Sequence, residues 1–257
     1  MKLEDIKSIG VVGGGVMGGG IAQAAILAGY KVIIRDLNDE IVEKTKNTIL
    51  NGRFGLKSGV ERGKLTQEQM DQASANLYVT TKVEDLKDCD LIIEAVGGGL
   101  DGAIENKPLK LKVFAELDKT VKKDAIFASN TSGFTIADLA KPTERKNQFI
   151  GMHWFSPANI MKLVEVIYTP DNSEELIKLM EGLCQRFGKT SIRAKDVPGD
   201  TGFVCNRIYR AVRAEAQKVV DEGVATVEDV NTAMMLGRNW PVGPLPTGGP
   251  GSRTGWQ

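Results

Sequence analysis

The chain has 257 residues, enough for one large domain or two small ones, and its 33 basic residues balance 33 acidic ones. That balance gives no electrostatic reason to expect a nucleic-acid or membrane-surface partner, and no apolar run approaches the roughly twenty residues needed to cross a bilayer. Cys89, Cys184 and Cys205 form no C-x-x-C pair, and the single histidine has no H-x-x-x-H spacing; three idle thiols in a reducing cytoplasm are expected, and no metal site.

The first predicted strand, Ile9 to Val12, begins so early that no cleavable leader is expected. It runs into Gly13-Gly14-Gly15-Val16-Met17-Gly18 and a helix-like stretch from Ile21 to Leu27, after which a second strand, Lys31 to Ile34, leads to Asp36. Strand, G-x-G-x-x-G, helix, strand and acid form the dinucleotide-binding fingerprint. Gly13 permits the tight turn, Gly15 lets the backbone approach a pyrophosphate, and Gly18 lets the helix pack close. The N–H groups of the helix start, with the dipole behind them, meet the phosphates. Gly13, Gly15, Val16, Met17 and Gly18 are therefore candidate cofactor contacts. A carboxylate at Asp36 accepts both ribose hydroxyls and repels a 2′-phosphate, favouring NAD over NADP; Arg35 beside it tempers that preference.

A helix capped by Asn38 or Asp39 is expected through Ile41, Thr45 and Ile49 and on past Leu56, with Gly52, Gly55 and Gly59 interrupting its second half. Strands follow at Leu77 to Val79 and Leu91 to Val96, then a helix from Leu109 to Leu117. Further strands are expected at Ala125 to Ala128, Phe149 to Met152 and Lys162 to Ile167. This alternation predicts an α/β fold over residues 1–195: a Rossmann-like, doubly wound, mostly parallel sheet whose ligands lie at the carboxyl ends of the strands. Beyond Pro198, helices from Phe203 to Glu222 and Thr226 to Leu236 predict a small helical domain over 196–257. Its last stretch, Pro241 to Gln257, is rich in proline and glycine and is expected to have little regular structure.

His153, the only histidine, directly follows the strand Phe149 to Met152, on the ligand-binding edge. Twelve residues later Glu165 interrupts an otherwise apolar strand, where a buried carboxylate needs a partner. An imidazole held by a carboxylate is an acid/base unit that works near neutral pH. On periodicity alone the two read equally as a surface histidine and an outward-facing strand glutamate.

Gly13 to Gln23, Leu91 to Val96, Ala128 to Ser132, Gly151 to Phe155, Met161 to Glu165, and Pro198-Gly199 with Gly202 to Arg207 form an ordered set of motifs. From residue 5 to about 244 the chain resembles the NAD-dependent L-3-hydroxyacyl-CoA dehydrogenases. The resemblance implies that His153 and Glu165 are a catalytic dyad completed by Ser132 and Asn206. It implies that Glu105 and Lys110, of an E-N-x-x-x-K segment, face the nicotinamide half of NAD or the substrate. Ala95, Val96, Asn130, Ser132 and Ser156 join them as cofactor contacts. In the implied reaction His153 takes the proton of the 3-hydroxyl as hydride leaves C3, Glu165 stabilises the imidazolium, and Ser132 and Asn206 hold the oxygen. Locally, Ser132 also reads as the cap of a helix from Phe134 to Leu139, and Asn206 as an ordinary helix-surface residue.

A CoA thioester needs cations for its phosphates, and Arg53, Lys57, Arg62 and Lys64 cluster after the second strand, where the family places basic residues near CoA. Lys57 and Arg62 are the chosen substrate contacts, alongside Lys110, Ser132 and Asn206; a solvated helix face is the default for the rest. Arg207, Arg210 and Arg213 read as structural or solvent-facing. The chain departs from the family in an insertion, Gly97 to Ala103, in a second at Asp200-Thr201 with a glycine, and in Ser156 where asparagine is usual. The family's helices past Gly243-Pro244-Leu245, which build its dimer interface, are expected to be missing, and Gly251 to Gly255 resembles the family's terminal K-T-G segment, which implies that Arg253 reaches the cofactor. The expected function is NAD-dependent oxidation of an (S)-3-hydroxyacyl-CoA to the 3-oxoacyl-CoA by a cytoplasmic homodimer with a shortened C-terminal domain. The alternatives are a non-catalytic NAD-binding subunit and a dehydrogenase of a free hydroxy acid.

Overall fold

The structure, a computed structural model, describes residues 1–97, 105–199 and 202–246. Most of the expected Gly97–Ala103 insertion, Asp200, Thr201 and Arg253 lie outside them. The chain divides into two compact units, Met1–Thr201 and Gly202–Gln257.

The first unit begins with β1 (Ser8–Val12), α1 (Val16–Leu27) and β2 (Lys31–Arg35). Its Gly- and Ala-rich α1 is buried from Gly18 to Ile26, because small side chains let it lie close to the sheet and its neighbours. The expected long second helix is instead two. α2 (Asp39–Asn51), capped by Asn38, stops where Gly52 turns to extended backbone, and α3 (Leu56–Glu61) restarts after Gly55. At both glycines a Cβ would crowd carbonyl oxygens of the preceding turn, Thr48 O among them, so the glycines break the helix rather than weaken it. α4 (Gln67–Ala75), absent from the sequence-based expectations, is started by a Thr66–Gln69 capping box.

β3 (Leu77–Thr80), β4 (Leu91–Glu94), α5 (Lys107–Thr120), β5 (Ile126–Ser129), the one-turn α6 (Ile136–Leu139) and β6 (Phe149–Trp154) follow. Then come β7 (Leu163–Tyr168), α7 (Glu174–Arg186) and β8 (Thr190–Lys195). Neither α7, capped by Ser173, nor β8 was among the sequence-based expectations. The eight strands form one sheet in the order β3-β2-β1-β4-β5-β6-β7-β8, parallel everywhere except between β6 and β7. β4, β5 and β6 are wholly buried, as strands covered on both faces must be. Chain order reverses direction between β1 and β4, and that switch point opens a crevice at the carboxyl ends of the strands.

In the second unit, α8 (Cys205–Asp221) and α9 (Val227–Arg238) are joined by a turn through Gly223 at φ 71°. Their small core is Ala216, Val230 and Leu245. The Asn231 side chain clasps Leu245 by both backbone groups, accepting from its N–H and donating to its carbonyl, at 3.0 Å each.

Candidate active site

The glycine loop fits a dinucleotide on three observations. Gly13 sits at φ 105°, and a Cβ there would lie 2.7 Å from Ala95 O and 2.9 Å from Val96 N, so only glycine lets β1 turn against the end of β4. A Cβ on Gly18 would strike Gly13 O, whereas Gly15 faces open space. α1 has no side-chain cap at Gly15, which leaves its first N–H groups to meet a pyrophosphate. Val16 stands exposed at this mouth. Asp36 closes the far side: Oδ2 accepts the Gly14 N–H at 2.5 Å and Oδ1 the Leu37 N–H at 2.6 Å. Arg35 turns towards Glu116 of α5, 3.9 Å away.

Beyond the loop, the ends of β4 and β5 gather the next group of expected residues. Lys110, 1 % exposed, donates to Glu94 Oε1 at 2.6 Å and to Val96 O at 2.8 Å, and stands 3.5 Å from Glu105 Oε2. Glu105 Oε1 accepts the Ser132 N–H at 2.5 Å. Full burial raises the Glu94 carboxyl above its ordinary value, while Lys110, Ser129 and the Val96 N–H pull it back. Asn130 Oδ1 accepts the Trp154 N–H at 2.8 Å, fastening the end of β5 to the residue after His153. Ser132 caps no helix. α6 begins at Ile136, and its first N–H groups, of Ile136 and Ala137, go to Asp196 at the end of β8.

The antiparallel register of β6 and β7 sets His153 opposite Glu165, which is how a spacing of twelve residues becomes a contact. His153 Nδ1 lies 2.6 Å from Glu165 Oε2, and both side chains are buried, at 3 % and 0 % exposure. The surface reading of the pair is therefore excluded. Ser156 lies near the start of the β6–β7 connection. That connection is tied down by Lys189, whose ammonium donates to Ala158 O and Met161 O at 2.7 Å each. Burial and the nearby Lys162 lower the Lys189 pKa to about 8. Gly20 of α1 packs beneath the same connection, so close that a Cβ would touch Ala158 and Asn159.

Between α1, α2 and this connection lies a cavity of about 550 Å³, lined among others by Gly19, Gln23, Lys44, Arg53, Phe54 and Asn159. Arg53 lies over the Phe54 ring at 5.2 Å and Arg62 at 5.9 Å. Arg62 donates to Arg53 O and Ser58 Oγ, while Lys57 sits exposed on α3. Asn206 is half-buried in the first turn of α8, in the second unit. Reasoning from sequence passed over Glu94, Asp196 and Lys189. For Glu94 the available signal was a charged residue inside an apolar run; Lys189 and Asp196 had no such local signal.

The profile described as 3-hydroxyacyl-CoA dehydrogenase, NAD binding domain, matches residues 8–197, and that of the C-terminal domain matches residues 202–248. The chain belongs to the 3-hydroxyacyl-CoA dehydrogenase family. A Deinococcus radiodurans protein named Probable 3-hydroxybutyryl-CoA dehydrogenase is 39 % identical over 236 residues, covering 92 % of this chain and 80 % of that protein. The mitochondrial hydroxyacyl-coenzyme A dehydrogenase of Rattus norvegicus is 37 % identical over 243 residues, 93 % of this chain and 74 % of the relative. The crystal structure of (S)-3-hydroxybutyryl-CoA dehydrogenase from Ralstonia eutropha superposes with a TM-score of 0.85 at 38 % identity, covering 93 % and 80 % of the two chains. In this dehydrogenase family the first domain binds NAD, and the uncapped α1, the open Gly15 and Asp36 are the groups here that would hold it.

Proposed function

We propose that the protein oxidises an (S)-3-hydroxyacyl-CoA to the 3-oxoacyl-CoA, reversibly and with NAD. The observation that carries this reading is the buried His153–Glu165 pair. An Nδ1–H donated to Glu165 leaves Nε2 as the basic nitrogen. That atom takes the proton of the 3-hydroxyl, and the Glu165 carboxylate stabilises the imidazolium that results. Bound NAD supplies the hydride acceptor. Ser132 donates to the substrate oxygen as it becomes a carbonyl. Glu105, Lys110, Ala95, Val96, Asn130 and Ser156 shape the nicotinamide end, and Asp36 selects the unphosphorylated ribose. The CoA nucleotide lies along the side of α2 and α3, where Arg53, Lys57, Arg62 and the Phe54 ring offer cations and a stacking surface. A cytoplasmic homodimer completes the reading. It is supported by the buried free thiols of Cys89 and Cys184 and by Val204 and Ile208 exposed at the start of α8. Among the described residues no helix is long and apolar enough to cross a membrane.

The test is NADH consumption with acetoacetyl-CoA, with free acetoacetate as control. Oxidation with the thioester alone supports the reading, and oxidation with both moves it to a hydroxy-acid dehydrogenase. Silence with both, while NADH still binds, points first to another acyl group and next to a non-catalytic NAD-binding subunit. In the active protein, His153→Gln is expected to lower kcat by about 10²–10⁴-fold with NADH affinity unchanged.

A further inference from the structure

Glu94 ends a strand whose other residues, Leu91, Ile92 and Ile93, are fully buried core, and it is itself fully buried. A carboxylate in such a place persists only when its oxygens are engaged. Oε1 accepts from the Lys110 ammonium at 2.6 Å and the Val96 N–H at 2.7 Å, and Oε2 from the Ser129 hydroxyl at 2.6 Å. Register explains the last contact, because Glu94 and Ser129 are partners across β4 and β5. Lys110 then stands 3.5 Å from Glu105 Oε2, an oxygen that is buried and has no hydrogen-bond partner among the described residues. The other oxygen of Glu105 holds the Ser132 N–H. One ammonium thus lies between two carboxylates, and its place between them sets where the second carboxylate points.

We propose that Glu94 is a positioning residue: by holding Lys110 it fixes Glu105, and through Glu105 the backbone at Ser132. The kinetic consequence rests on the function proposed above; the relay itself does not. In Glu94→Gln the amide keeps an acceptor for Lys110 and Val96 and a donor for Ser129, so shape is conserved and only charge is lost. Lys110 is left with one carboxylate and closes on Glu105 Oε2. That rotation draws Oε1 off the Ser132 N–H, and the Val96 N–H loses a charged acceptor.

Hydrogen exchange of the full chain without cofactor tests the relay. In Glu94→Gln, amide exchange is expected to rise about tenfold or more at both Val96 and Ser132, with β7 and β8 unchanged. Acceleration at Val96 alone, with Ser132 still protected, overturns the proposal. In turnover with acetoacetyl-CoA, kcat is expected to fall about tenfold or more while the Kd for NADH stays within about threefold. Adding Glu94→Gln to Glu105→Gln should then cost almost nothing further, since both act on one path. Fully additive losses, or an unchanged kcat in Glu94→Gln, also overturn it. A wild-type protein that turns nothing over sinks the proposed function instead, and exchange still decides the relay. Should Glu94→Gln fail to fold, Ser129→Ala removes one donor to the same carboxylate. It is expected to accelerate exchange at both amides by a smaller factor, and no change at Ser132 overturns the relay.

Discussion

A single proton on His153 Nδ1 carries the proposed chemistry, and Glu165 is what keeps it there. Glu165→Gln fits the same space but presents an amide that either donates to Nδ1, forcing the wrong tautomer, or accepts without stabilising the imidazolium. We expect kcat to fall about 10²–10⁴-fold with NADH affinity unchanged, read by turnover and fluorescence titration. Arg145 is a structural counterpart. It is 3 % exposed, pairs with Asp118 at 2.6 Å, donates to the carbonyls of Lys122, Ala125, Val121 and Asp118, and lies over Phe127. Arg145→Met strands a buried carboxylate and those carbonyls, and urea unfolding should show a loss of about 3–5 kcal/mol. The thiols add a pH dependence. Burial pushes Cys89 and Cys184 up to about 12 from an ordinary 9.0. The stability gained by keeping them neutral is complete below pH 9 and is lost as pH rises towards 12, because the unfolded thiols ionise first. Lys189, lowered to about 8, acts in the opposite sense between pH 8 and 10.5, so the thiol effect is best isolated by difference. Between pH 8 and 10.5, Cys184→Ala should lose about 2 kcal/mol less than wild type in urea melts.

At the scale of elements, α6 shows why a short helix need not be self-sufficient. Its four residues cannot repay helix nucleation, and Asp196, buried at the end of β8, accepts its first two N–H groups at 3.0 and 2.9 Å. Asp196→Ala should cost about 1–3 kcal/mol in urea melts, with Asp196→Asn closer to wild type because its carbonyl oxygen still accepts. Sixty residues separate cap and helix, so no local pattern in the sequence announces the pairing. The glycine loop and the alternating strands were legible because their signals are local: turn chemistry and apolar runs. The His153–Glu165 pair was half legible, because a carboxylate out of place in a strand was visible but the antiparallel register that joins it to His153 was not. The split between α2 and α3 was half legible. Gly52 and Gly55 were visible, but the carbonyl oxygens that forbid a Cβ there belong to the folded turn. α4, with Ala73 as its one buried residue, offers little beyond its Thr66 cap, whereas α7 was readable both from its Ser173 cap and from the helical period of Ile177, Met180 and Cys184. Glu94 lay in plain view inside Leu91 to Val96, yet its role needs Lys110 and Ser129, which reach it only across the sheet and from α5.

Across the whole molecule, the two units differ in what stabilises them. The first has a core on both faces of an eight-stranded sheet, while the second rests on Ala216, Val230 and Leu245 and on the Asn231 clasp. The proposed adenosine and pyrophosphate groups, from Gly13 to Gly18 and Asp36, all belong to the first. NADH should therefore stabilise that unit against unfolding and leave the other's transition unchanged when the chain is followed by calorimetry. At a hundred times its Kd, a ligand that binds only the folded state adds about 2.7 kcal/mol. For a unit of this size that is a rise of about 5–10 °C in the first unit's transition. Because Asp36 offers acceptors and a negative charge to the ribose, NADPH should give a much smaller rise. Asp36→Ala should lower the NADH shift and narrow the gap between the two cofactors. Equal shifts with NADH and NADPH in the wild-type chain would show that Arg35, beside Asp36 and 3.9 Å from Glu116, offsets the carboxylate's repulsion, and would overturn the preference for NAD. A shift confined to the second unit's transition would place the nucleotide away from the glycine loop altogether.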